Sequence, residues 1–148
     1  MARALRIVPL LLAGVLALQA ASPVFAGQAQ PRRESATVAL VGVNQHGRER
    51  TGVRFDTDRV RLLLIQVTWK TLVGAHTQRV ELITPDGSVY QNLTEHVSSV
   101  TGTAFVETRL PVTGTWITEY DLHGKWMVNV YLDDAVKPVT SERFTLVK

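Results

Sequence analysis

The stretch from Leu122 to Leu146, LHGKWMVNVYLDDAVKPVTSERFTL, does most to limit what the chain can become. After His123-Gly124, the side chains of Trp126, Val128, Val130 and Leu132 alternate with Lys125, Met127, Asn129 and Tyr131. A period of two places successive side chains on opposite faces of a strand, so one face belongs to a core and the other does not. Asp133-Asp134 breaks the alternation, Pro138 lies in the connection, and Phe144 and Leu146 resume it. The stretch therefore reads as a hairpin that closes an antiparallel sheet.

The preceding chain repeats this pattern. Ser35 to Val43, Val60 to Trp69, Gln78 to Ile83, Ser88 to Leu93 and Thr103 to Val112 each carry strand formers. In the second of these, Leu63, Ile65, Val67 and Trp69 share one face while Leu62 and Leu64 occupy the other, as expected of a strand covered on both sides. Pro85-Asp86-Gly87 is a tight-turn signal, because proline presets φ and glycine accepts a positive φ. Asn44–Gly52, Thr71–Ala75, Thr94–Gly102 and Thr115–Leu122 are expected to be loops or connections. No window has the apolar spacing of an amphipathic helix over three turns. Short strands with regular turn signals predict an all-β fold, a two-sheet antiparallel sandwich of about seven strands.

Leu122-x-Gly124-x-Trp126-x-Val128-x-Val130-x-Leu132, followed by Phe144-x-Leu146, resembles the last hairpin of bacterial exported immunoglobulin-like or fibronectin-III-like domains. Trp69 suits the core tryptophan of such domains, although the chain contains no cysteine and so lacks the immunoglobulin disulfide. The resemblance implies an immunoglobulin-like sandwich. It implies no function, because this architecture serves adhesins, chaperones, enzyme accessories and complex subunits alike.

The first 26 residues read as a signal peptide. Arg3 and Arg6 precede an apolar run from Ile7 to Leu18, and Val24-Phe25-Ala26 has the small-x-small form of a cleavage site. Residues 27–34 are expected to be a flexible leader and 35–148 a single domain. The expected product is exported, periplasmic or secreted, with no transmembrane segment in the mature chain. Removing 26 of the 148 residues leaves 122, enough for one core. Two of the 16 Lys and Arg residues go with the signal, so 14 face 13 Asp and Glu. Residues 27–79 carry nine basic and four acidic residues, and residues 80–148 carry five and nine. Strands from both halves interleave in a sandwich, so the asymmetry need not form a patch and no nucleic-acid partner is expected.

Chemistry is sparse. The sequence has no Gly-x-Ser-x-Gly elbow, no thiol and no phosphate-cradling loop. Ser98 and Ser99 adjoin His96 without an evident orienting acid. No catalytic residue, cofactor or metal ligand is assigned, and the chain is not expected to be an enzyme. Leu110-Pro111-Val112-Thr113-Gly114 matches the sortase LPxTG signal, but charged strand sequence follows it in place of an apolar tail. One alternative is a periplasmic metal- or small-ligand-binding module using His46, His76, His96 and His123 with Asp56, Asp58, Asp133 and Asp134. Another is a carbohydrate-binding accessory using Trp116 and Tyr120. The main expectation is a protein-interaction or assembly module with a protein partner. Its possible contact face is Met127, Asn129 and Tyr131, the outward side of the strand that buries Trp126.

Overall fold

The computed structural model describes residues 33–148; the signal peptide and residues 27–32 of the leader lie outside the described residues. Seven strands and one helical turn follow in order: β1 (Ser35–Asn44), β2 (Glu49–Thr51), β3 (Arg54–Asp56), β4 (Val60–Ile83), β5 (Val89–Pro111), α1 (Trp116–Glu119), β6 (Gly124–Leu132) and β7 (Thr140–Val147). The all-β sandwich expected from the alternation is present. It is built from one seven-stranded sheet in the order β2-β1-β4-β6-β7-β3, with β5 also paired to β4.

Strands β4 and β5 explain how one sheet makes two layers. At about 3.3 Å per residue, a straight strand of 24 residues would run ~80 Å. A domain of this size has a radius of gyration of only ~13 Å, so such a strand must bend. It does so at register shifts between Lys70 and Leu72 and between Leu72 and Gly74. Thr71 (φ 59°), Gly74 (φ 101°) and, opposite them on β5, Gly102 (φ 87°) hold the left-handed backbone that the bend needs. Thr71 Oγ1 donates to the Arg33 carbonyl at 2.8 Å, and Ser99 Oγ accepts from the Gly102 amide at 3.0 Å and donates to the Thr103 carbonyl at 2.8 Å. Thr71–Ala75 and Thr94–Gly102 are therefore bulged strand, not the loops expected. Polar and glycine-rich residues mark a bulge as readily as a loop.

Each arm of the bent hairpin serves a different layer. Residues Val60 to Lys70 pair with β1 on one side and with Thr103 to Pro111 on the other. Residues Gln78 to Ile83 pair with β6 and with Val89 to Glu95. Strand β7 continues the second layer, and β3 joins its edge in parallel, so one pair departs from the antiparallel rule. The turn at Pro85-Asp86-Gly87 is as expected, with Gly87 (φ 88°) donating its amide to the Thr84 carbonyl at 3.0 Å.

Both layers face a single core. Trp69, Leu63, Ile65 and Val67 come from one arm of β4, Val80 and Leu82 from the other, and Trp126, Val128, Val130, Phe144 and Leu146 from the closing hairpin. Trp126 stacks on Phe144 (centroids 5.9 Å apart, 26° between planes) and meets Tyr90 edge-on at 5.3 Å. Its indole N–H donates to the Leu122 carbonyl at 2.9 Å, so burial does not orphan that donor. Phe55 of β3 packs against Gly42 of β1, where a Cβ would lie 2.7 Å from the phenyl ring. Outside this core, Val41, Val43 and Leu64 form a second small cluster on the outer face of the first layer, the side on which Leu62 and Leu64 were expected.

Candidate functional site

Strand register assembles the outward face of β6. Tyr131 lies opposite Arg79, Asn129 opposite both Glu81 and Ser141, and Met127 opposite Ile83 and Arg143. The Glu81 carboxylate accepts from the Tyr131 hydroxyl at 2.9 Å and from the Asn129 amide at 3.2 Å. Ser141 Oγ donates to Asn129 Oδ1 at 2.7 Å. The Arg79 guanidinium lies 3.9 Å above the Tyr131 ring centre, with one nitrogen 3.6 Å from Glu81. Burial, reinforced by the Glu81 hydrogen bond, pushes the Tyr131 phenol above its usual pKa. Met127, Asn129 and Tyr131 thus share the outward face, as the alternation requires. Asn129 and Tyr131 are nonetheless only 8% exposed each, and their polar groups are already engaged. Met127 is the half-buried member of the three.

The edges of the sheet differ sharply. Its ordered path ends at β2 and β3, which are three residues each. Strand β5, 23 residues long, pairs with β4 alone among the described residues. From Val89 to Leu110 it has no lysine and no proline, and its only ionisable charges are Glu95, His96, Glu107 and Arg109. Val89, Val100 and Phe105 are exposed along it, Val100 almost completely.

A third feature lies at the end of β5. Gly114 (φ 72°) turns the chain, and Thr115 caps α1 by accepting from the Ile117 amide at 3.3 Å while donating to the Val112 carbonyl at 2.7 Å. Ile117 is fully buried and pins this turn to the core. Trp116 and Tyr120, four residues apart, are turned outward together. They are 65% and 67% exposed and meet edge-to-face at 6.2 Å. Beside them Tyr90, Gln91, Gly114, Thr115, Trp116 and Glu119 line an open cleft of about 430 Å³. Sequence alone marked Trp116 and Tyr120 as a pair; Glu119 lies on the same helical turn, and Tyr90 and Gln91 join them only through the β4–β5 hairpin.

The histidines do not converge. Among the described residues no three His, Cys, Asp or Glu side chains are placed to hold one metal ion. His76 Nδ1 lies 2.9 Å from Asp133 and Nε2 lies 3.1 Å from the Val73 carbonyl. Two acceptors facing the two ring nitrogens suit the imidazolium, and the His76 pKa is raised, chiefly by the Asp133 hydrogen bond. His123 Nε2 contacts Thr57 Oγ1 at 3.0 Å, and His46 shares a shallow surface hollow with Asp58 and Arg59. Asp56 receives the Asp58 amide at 2.9 Å and pairs with Arg59 at 3.2 Å. The sortase-like residues are held in the fold: Leu110 and Val112 are buried, and Thr113 Oγ1 donates to the Val60 carbonyl at 3.1 Å. No helix of the described residues is long and apolar enough to cross a membrane.

No protein-family description matches the chain, and no curated protein matches it. Among solved structures, the chain is similar to an immunoglobulin-like protein from Pseudomonas aeruginosa, with a TM-score of 0.46 and 11% identity over 80% of this chain and 99% of that one.

Proposed function

We propose that this chain is an exported, non-enzymatic β-sandwich that acts as a protein-interaction or assembly module, and that it engages its partner through the open edge of β5. The carrying observation is the contrast between edges. A strand edge presents unpaired N–H and C=O groups that template pairing with another chain, and proteins suppress this with short edges, lysines or prolines. Strands β2 and β3 have the short form. Strand β5 has 23 residues with no lysine and no proline before Pro111, and its bulge at Ser99–Gly102 divides it into two open stretches. An edge of this kind suits strand addition, in which main-chain hydrogen bonds supply affinity and flanking side chains supply choice. Export is supported by the Arg3/Arg6 start, the apolar run and the Val24-Phe25-Ala26 end.

The β6 face is the second place for a contact. Its Arg79–Tyr131–Glu81–Asn129–Ser141 groups are linked by hydrogen bonds and a cation–π contact, and Met127 stands beside them. Capture from the exported fraction with immobilised protein separates the two surfaces. Thr103→Lys with Phe105→Lys charges the β5 edge, and Met127→Lys charges the β6 face. Loss of the captured protein only with the first variant, together with new amide-exchange protection along Val89–Leu110, is the expected result. Loss only with Met127→Lys moves the contact to β6, and capture unaffected by either overturns the interaction reading of both surfaces.

A further inference from the structure

We infer that the cleft between α1 and the start of β5 is a binding site for a neutral saccharide, with Trp116 as the stacking platform and Gln91 and Glu119 as the hydroxyl-reading groups. This site takes the side chains of Tyr90 and Gln91 from the start of β5, and it is tested by saccharide binding, a readout distinct from strand addition along that edge. The Trp116 indole, 65% exposed, and the Tyr120 ring, 67% exposed, together offer solvent a contiguous aromatic surface beside the cleft. Here the exposure is imposed by the fold, because Ile117 is anchored in the core and Thr115 fixes the turn that presents Trp116. Tyr90 is braced edge-on against buried Trp126, so the wall of the cleft is held by the core.

The lining chooses among ligand classes. It contains two aromatic rings, one amide and one carboxylate, and no Lys, Arg or His. Glu119 with no cation beside it disfavours an anionic ligand. A quaternary ammonium needs aromatic faces on several sides, whereas this cleft is open and only Tyr90 and Trp116 line it. A pyranose matches both halves of the surface. Its C–H face packs on a flat indole, its hydroxyls donate to a carboxylate, and they exchange donor and acceptor roles with an amide. The volume of about 430 Å³ falls in the small-molecule range of roughly 300–1,000 Å³. The absence of aliphatic lining also distinguishes the cleft from a groove for an apolar helix.

The chain's three tryptophans provide the readout. Trp69 and Trp126 are buried, so only the Trp116 indole N–H resonance should move when a saccharide binds. Titration of the protein with cellotetraose and with the tetramer of β-1,4-linked N-acetylglucosamine is expected to shift that resonance saturably, with a Kd on the order of 1 mM for a shallow site. Trp116→Ala should abolish binding, and Glu119→Gln and Gln91→Ala should each weaken it at least about fivefold, with unchanged thermal midpoints because these groups lie at the surface. If Trp116→Ala fails to fold, the other two variants decide. No saturable shift with either saccharide up to roughly ten times that Kd overturns the inference. So does an equal response to tetramethylammonium, or binding that survives both polar substitutions.

Discussion

Trp69 and Gln78, nine residues apart on one strand, meet inside the core: the indole N–H donates to Gln78 Oε1 at 2.7 Å, and both side chains are fully buried. They lie on opposite arms of bent β4, so the bond spans the fold in the sheet. The second amide hydrogen-bonding group, Gln78 Nε2, has no partner among the described residues.

Gln78→Leu removes the unsatisfied donor but orphans the Trp69 N–H. It should cost about 1–3 kcal/mol, the usual penalty for a buried group left unpaired. Trp69→Phe in the Gln78→Leu background should cost less than the same change in wild type. Denaturant melts of the two single variants and the double variant measure this coupling, and additive losses would show that the bond contributes nothing.

The bend itself depends on left-handed backbone at Gly102, whose Cβ position faces the Thr71 Cα at 3.8 Å. Space is available, so Gly102→Ala should cost only the conformational term of roughly 1–2 kcal/mol. An unchanged urea midpoint would mean that β5 turns the corner in another way.

Trp126 is the largest contact in the closing hairpin, stacked on Phe144 and touched by Tyr90. Trp126→Ala should lose about 3–5 kcal/mol. Total stability for a domain is about 5–15 kcal/mol, so poor folding is expected. A loss below about 1 kcal/mol would contradict the burial seen here.

The His76–Asp133 pair clasps the bend of β4 to the β6–β7 connection, with Asp133 also accepting from the Thr77 amide at 2.9 Å. The folded pKa of His76 lies above 6.5, so its contribution is complete below that value and fades as pH rises through the raised folded pKa. The Asp133 pKa is lowered from 3.8, first by the His76 hydrogen bond, so its contribution is complete above 3.8 and fades as pH falls through the lowered value. The clasp is therefore strongest between the two transitions. Asp133→Asn, which tolerates the positive φ of 51° at that position, should return the His76 pKa toward 6.5. A histidine titration followed by NMR reads this directly, and an unmoved midpoint would deny the coupling.

The alternation from Trp126 to Leu132 and from Leu63 to Trp69 determined, by local periodicity alone, which side chains face the core, and Pro85-Asp86-Gly87 determined where the chain reverses. These are properties of a few consecutive residues and are readable as such. The tertiary structure decided that Thr71–Ala75 and Thr94–Gly102 bend two long strands and do not end four short ones, because bulges and loops use the same residues. It decided that outward-facing Tyr131 is covered, since Arg79 and Glu81 reach it only across the β4–β6 register. It joined His76 to Asp133 over 57 positions and Tyr90 to the Trp116 turn, and it left β5 with one ladder partner among the described residues. Pairing across a sheet is set by register between distant segments, and no window of sequence contains both sides of it.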